Sequence, residues 1–137
     1  MSCKPSICVA NTVETTVATN SVIPLLTIIR RRDTGLNKFG NSVVIEECRN
    51  NYYLVTVNAT VGAPAAGNVT ITLQQNSTNV PGGTATETIT TPVTENRSLS
   101  FTVLVRNFSG PNIDTLLLLN TGVAATFTNV VMTIVKL

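Results

Sequence analysis

The sequence predicts an all-β domain built as two packed antiparallel sheets, and three observations carry that reading. From Ile23 onward, short runs of β-branched and aromatic residues are punctuated by clusters of Gly, Pro, Asn and Ser. No segment repeats its apolar residues with helical period. Strict alternation appears instead: Tyr53, Val55, Val57, Ala59 and Val61 are apolar, while Thr56, Asn58 and Thr60 between them are polar.

The strands expected on these grounds are Ile23 to Arg30, Ser42 to Glu47, Tyr52 to Val61, Asn68 to Gln75, Ala85 to Thr91, Ser98 to Arg106, Thr115 to Leu119 and Phe127 to Lys136. Turns are expected at Asn37 to Asn41, Gly62 to Gly67, Pro81 to Gly83 and Gly110 with Pro111, where these residues tolerate backbone angles that β-branched ones do not. Loops of this length suit hairpins and the sheet-to-sheet crossings of a jelly roll. In the last strand both faces are apolar, with Val130, Met132 and Ile134 on one and Phe127, Val131 and Val135 on the other. A strand dry on both sides needs two partners. One is the opposite sheet; the other, in a domain without helices, is another subunit. Residues 1–21 are Thr-, Val- and Asn-rich with weak alternation, and read as an arm or tether preceding a domain at 22–137.

Composition bounds the rest. A chain of 137 residues suits one domain, burying roughly two-thirds of the surface its unfolded form exposes. Charged residues are 12% against 43% hydrophobic, so the polar surface is built from Thr, Asn and Ser. That balance opposes disorder. A net charge of +2 is too small to hold a phosphate backbone, so nucleic acid is not an expected partner. No apolar run approaches the ~20 residues a bilayer requires, and no secretory leader is read at the N-terminus.

Chemistry is sparse. There is no His, and the carboxylates are Glu14, Asp33, Glu46, Glu47, Glu87, Glu95 and Asp114. Glu46 and Glu47 are adjacent and point to opposite sides of a strand, so they do not form a working pair. Cys3, Cys8 and Cys48 are an odd set without His to complete a tetrahedron, and read as reduced thiols. No catalytic residue, cofactor or metal is therefore expected. The triplets beginning at Asn58, Asn68, Asn76, Asn96 and Asn107 match glycan acceptors, but follow from an Asn- and Thr-rich composition. Arg30, Arg31 and Arg32 form the densest charge, either a charged edge that resists pairing or a contact for an anion or a partner's carboxylate.

Five landmarks in order resemble the C1q/TNF-like jelly-roll superfamily over about Val22 to Leu137. They are Val22-Ile23-Pro24, Tyr52-Tyr53-Leu54-Val55, Val69 to Asn76 running on to Val80-Pro81-Gly82, Asp114 to Asn120, and the closing apolar strand. Within that superfamily the pattern is similar to phage structural proteins and to the C-terminal domains of collagen-like spore-surface proteins, though no Gly-X-Y stalk is present. The resemblance implies a homotrimer whose inner sheets meet on a threefold axis, and the strands apolar on both faces make Tyr52, Leu54, Phe127, Val131 and Val135 the candidate axis residues. It implies a subunit on a virion surface, such as a head fibre, capsid decoration protein or small spike, docked to a capsid or fibre-base protein through residues 1–20. The alternatives are a tip binding a host-surface glycan or receptor through Asn76 to Gly83 and Gly110 to Asn112, or a spore-surface adhesin.

Overall fold

The structure, a computed structural model, describes residues 4–33, 35–47, 51–92, 94–107 and 114–137. Among them there are twelve strands and no helix. The strands are β1 (Ser6–Asn11), β2 (Thr15–Val17), β3 (Ser21–Val22), β4 (Thr27–Arg32), β5 (Leu36–Phe39), β6 (Ser42–Ile45), β7 (Tyr52–Gly62), β8 (Gly67–Gln75), β9 (Thr78–Ile89), β10 (Arg97–Arg106), β11 (Asp114–Asn120) and β12 (Ala125–Lys136). One sheet, A, has the order β10-β7-β12-β1-β4, with β2 also on β12; the other, B, has the order β5-β6-β11-β8-β9, with β3 also on β11. Every pair is antiparallel. The chain changes sheet at most connections, and only β5–β6 and β8–β9 are hairpins between consecutive strands.

The core lies between the sheets, where Tyr53, Val55, Val57, Ala59 and Val61 of β7 meet Val69, Ile71 and Leu73 of β8, Leu116 and Leu118 of β11, and Val130, Met132 and Ile134 of β12. The alternation of β7 thus has the orientation its sequence predicts. At the β11–β12 connection the backbone passes so close to β8 that a Cβ on Gly122 would stand 2.3 Å from the Asn68 carbonyl oxygen. Glycine is required there by approach rather than by φ.

The N-terminal reading, an arm over residues 1–21, needs correction for its described part. Residues 6–22 supply strands to the two sheets: β1 is inserted between β12 and β4, pairing Ile7 with Ile134 and Val9 with Met132. Ile7, Val9 and Val17 are buried in the common core. The period-two pattern of Ile7 and Val9 is only two apolar residues long, too short to stand out beside the polar residues that follow. Buried Asn11 reinforces the segment, bonding Thr15 Oγ1 at 3.2 Å and accepting from the Val13 N–H at 2.9 Å.

Three further expectations change. The first predicted strand, Ile23 to Arg30, is replaced by β3, an irregular stretch through Pro24 with Ile23 and Leu25 buried, and then β4. Pro81 to Gly83 is not the turn: β8 and β9 join through Asn76 and Ser77, both at positive φ (51° and 68°), as a two-residue hairpin demands. The Pro-Gly-Gly residues instead bulge from β9, where the register shifts opposite Thr72 and Gln74. Finally, Phe127 does not face outward. Phe127 pairs with Val61 and Asn129 with Thr60, leaving Thr128 as an extra residue that reverses the alternation and sends Phe127 into the core with Val130. Cys3, Cys48 and the Gly110 to Asn112 loop lie outside the described residues.

Because β1 fills a central place in sheet A, its inward side chains should behave as core. Ile7→Ala is expected to destabilise the fold by about 2–5 kcal/mol, and removal of residues 1–12 to leave no cooperative melting transition, both measured by thermal denaturation followed by circular dichroism.

Candidate interaction face

The outer surface of sheet A is laid out by strand register. Leu104 of β10 stands opposite Leu54 of β7, which stands opposite Val135 of β12, which stands opposite Ser6 of β1 and then Arg32 of β4. Facing residues in an antiparallel pair point to the same side, so this is a row of three aliphatic side chains with a cation at its end. Tyr52 extends it along β7, opposite Arg106, and Leu137 along the end of β12. These are large apolar groups left in water: Leu104 is 51% exposed, Tyr52 45%, Val135 39% and Leu54 38%. The next row is polar, Thr102, Thr56, Thr133, Cys8 and Arg30, with the Thr133 hydroxyl 3.5 Å from the Cys8 sulfur.

Of the five predicted axis residues, this face therefore gathers Tyr52, Leu54, Val135 and the half-buried Val131, and excludes Phe127. Sequence reasoning missed Leu104 and Leu137. The signal for Leu104 was present, since Phe101, Val103, Leu104 and Val105 make β10 apolar on both sides toward its end, the same feature that singled out β12.

A cavity of about 390 Å³ opens beside this row at the β9–β10 edge, lined by Tyr52, Leu104, Val80, Pro81, Asn79 and Arg106 among others. Gln75 braces its floor by donating to the Arg106 carbonyl at 2.8 Å. Asn76 to Gly83, expected as a recognition loop, holds no aromatic residue of its own; the fold brings Tyr52 to it from β7.

Of the three arginines, Arg31 is turned toward sheet B and donates to Asn37 Oδ1 at 2.8 Å. Arg30 and Arg32 share the outer face of sheet A and are exposed. Among the described residues no group of His, Cys, Asp and Glu is arranged to hold a metal ion.

Two polar clusters brace the ends of the sandwich. Glu47 accepts from the buried Tyr53 hydroxyl and pairs with Lys136 Nζ at 3.0 Å, while its carbonyl accepts from Asn107 Nδ2 at 3.2 Å. Burial foremost, and then the Glu47 carboxylate, push the Tyr53 phenol well above its ordinary value of 10.0. In the β9–β10 connection, Glu95 accepts from the Thr91 and Thr90 N–H groups at 2.8 and 3.0 Å and pairs with Arg97 at 2.5 Å. The Thr91 N–H above all, then Arg97, bring its pKa down to about 2.

No family model matches the sequence, and no curated protein matches it either. Solved structures do match its backbone. The globular domain of zebrafish complement 1qA superposes with a TM-score of 0.66 at 8% identity over 95% of each chain. Eiger TNF from S. frugiperda gives 0.66 at 15% identity, over 98% of this chain and 94% of that one. This chain has the C1q/TNF-like jelly-roll fold. The same C1q/TNF-like framework is matched by the PRD1 vertex protein P5, with a TM-score of 0.64 at 15% identity over 98% of this chain and 97% of that one.

The two polar clusters set opposite pH limits on stability. A depressed carboxylate stabilises the fold above its unfolded pKa, so the Glu95 contribution should be lost as pH falls from 4.5 to about 2. A raised phenol stabilises it below its unfolded pKa, so the Tyr53 contribution should decline as pH climbs past 10.0. Melting temperature against pH should show both limbs, with Glu95→Gln flattening the acid one and Tyr53→Phe the alkaline one. At neutral pH, Glu47→Ala should cost about 1–3 kcal/mol, because it leaves the Tyr53 hydroxyl buried without its acceptor.

Proposed function

We propose that the chain is a non-enzymatic structural subunit of a bacteriophage particle, acting as a homotrimer on the virion surface in the manner of a head fibre, capsid decoration protein or small spike. The observation that carries this reading is the likeness to a vertex protein over almost the whole of both chains. The apolar row on sheet A supports the trimer. Leu54, Leu104, Val135, Tyr52 and Leu137 together make a contiguous apolar surface that a lone domain has reason to cover. A closed ring needs two different patches that complement each other. The cavity edge at Val80 and Pro81 adjoins the row and offers the second. Val131 lies on the same face nearer its centre. Docking through residues 1–20 is no part of the proposal, since residues 6–17 are committed to sheet A.

The cavity favours one alternative, a receptor-binding tip for a host-surface glycan. An aromatic ring, a guanidinium and an amide converge there, which suits the apolar face and polar rim of a sugar.

Sedimentation equilibrium of the full chain should give three times the monomer mass at micromolar concentration. Leu54→Glu with Leu104→Glu should give a folded monomer, judged by an unchanged far-ultraviolet spectrum. A wild-type chain that stays monomeric overturns the trimer. Labelled antibody against the chain should decorate intact phage particles in electron micrographs; a chain found only in the lysate overturns the virion assignment.

A further inference from the structure

Strand β4 is the least covered element of the fold. All six of its residues, Thr27 to Arg32, are exposed, and among the described residues it pairs in the sheet with β1 alone, which leaves its other backbone edge open to them. Ile28 and Ile29 are exposed on it and Leu26 just before it. An open edge with aliphatic side chains invites pairing with another strand. Charge says which strand. Arg30, Arg31 and Arg32 follow one another, and Arg30 and Arg32 form no ion pair among the described residues. On the outer face that they share, the strand residues facing one another across β10, β7, β12 and β1 include no carboxylate.

We infer that the free edge of β4 is a docking site for an extended acidic segment of a partner protein, added as a seventh strand to sheet A. The partner segment would supply backbone N–H and C=O groups to the open edge, aliphatic side chains against Ile28 and Ile29, and carboxylates to Arg30 and Arg32. Backbone bonds set the affinity in such additions and side chains the choice of partner, and a guanidinium binds a carboxylate through two parallel hydrogen bonds. A second copy of the chain is disfavoured as the occupant, since pairing two β4 edges would bring three cations against three. This surface is distinct from the apolar row on β10, β7 and β12, and the inference does not depend on the trimer or the particle.

The test uses the full chain and a fluorescein-labelled eight-residue peptide alternating Glu and Val. Fluorescence anisotropy should show saturable binding, and hydrogen exchange should show new protection in residues 27–32. Three controls should bind weaker by on the order of tenfold or more, as loss of charge-assisted or backbone hydrogen bonds demands. They are a Lys–Val peptide, the Glu–Val peptide with alternate backbone nitrogens methylated, and the Arg30→Glu/Arg32→Glu chain, which should in turn bind the Lys–Val peptide. Both substituted side chains are exposed, so its melting temperature should match the parent's. Equal binding of the methylated peptide would reduce the site to general electrostatics and overturn the inference. So would protection mapping outside β4, no binding at millimolar peptide, or tighter binding of a single-stranded oligonucleotide than of the Glu–Val peptide.

Discussion

The fold depends on β12 being occupied along both edges. It pairs with β7 on one side, interrupted at Thr128, and with β1 and β2 on the other, and its inward side chains, Ala125, Phe127, Val130, Met132 and Ile134, are all buried. A strand so placed satisfies its backbone groups within the protein and fixes the register of everything beside it. A slip of one residue would turn that whole set outward. Polar anchors hold the same arrangement at its ends. Asn120, fully buried, donates to the Val17 and Val123 carbonyls at 3.0 Å each and accepts from the Gly122 N–H at 3.1 Å, tying the N-terminal segment to the turn that leads into β12. At the other end Lys136 reaches Glu47, and Glu47 reaches Tyr53.

The two surfaces of the sandwich differ in what they leave undone. On sheet B, threonines bond one another, Thr70 with Thr86 across β8 and β9 at 2.9 Å and Thr72 with Thr121, just past the end of β11, at 2.8 Å, so hydroxyls satisfy one another with little charge. On sheet A a threonine row is followed by the aliphatic row and framed by cations at β4 and β10. Low charge and abundant Thr, read at first as a general property of the composition, thus have a spatial distribution. The polar surface is broken on sheet A by the exposed aliphatic row and on sheet B by Phe39 of β5, which is 71% exposed.

What was legible in the sequence followed from period and punctuation. The alternation of β7 fixed its two faces because five apolar positions in succession leave no ambiguity, and the two-faced apolar character of β12 pointed to the outer surface of sheet A. The misses have local causes. A single extra residue, Thr128, sends Phe127 inward, and a bulge of this kind leaves no mark in the sequence beyond the alternation it breaks. Pro81-Gly82-Gly83 is the strongest turn signal by composition, yet Asn76-Ser77 makes the turn because both residues accept the left-handed region. Ile7 and Val9 were overlooked because a buried strand needs few apolar residues when its neighbours supply the rest of the core. The joining of Glu47, Tyr53 and Lys136 is tertiary, and nothing in their separate surroundings announces it.

The insertion of β1 next to β12 also orders events in time. Cys8 and Thr133, which touch across these strands, are 125 positions apart in the chain. During synthesis β1 emerges well before β12, and the place it fills between β12 and β4 is complete only once β12 has been made. Sheet B has the same delay at its centre, where its two early hairpins are joined only by the later β11. Pairings between distant segments are slow because loop closure precedes any gain from contact. Until β12 is made, β1 has β4 as its neighbour and its other edge stays open, the kind of transiently unpaired strand edge from which aggregation starts.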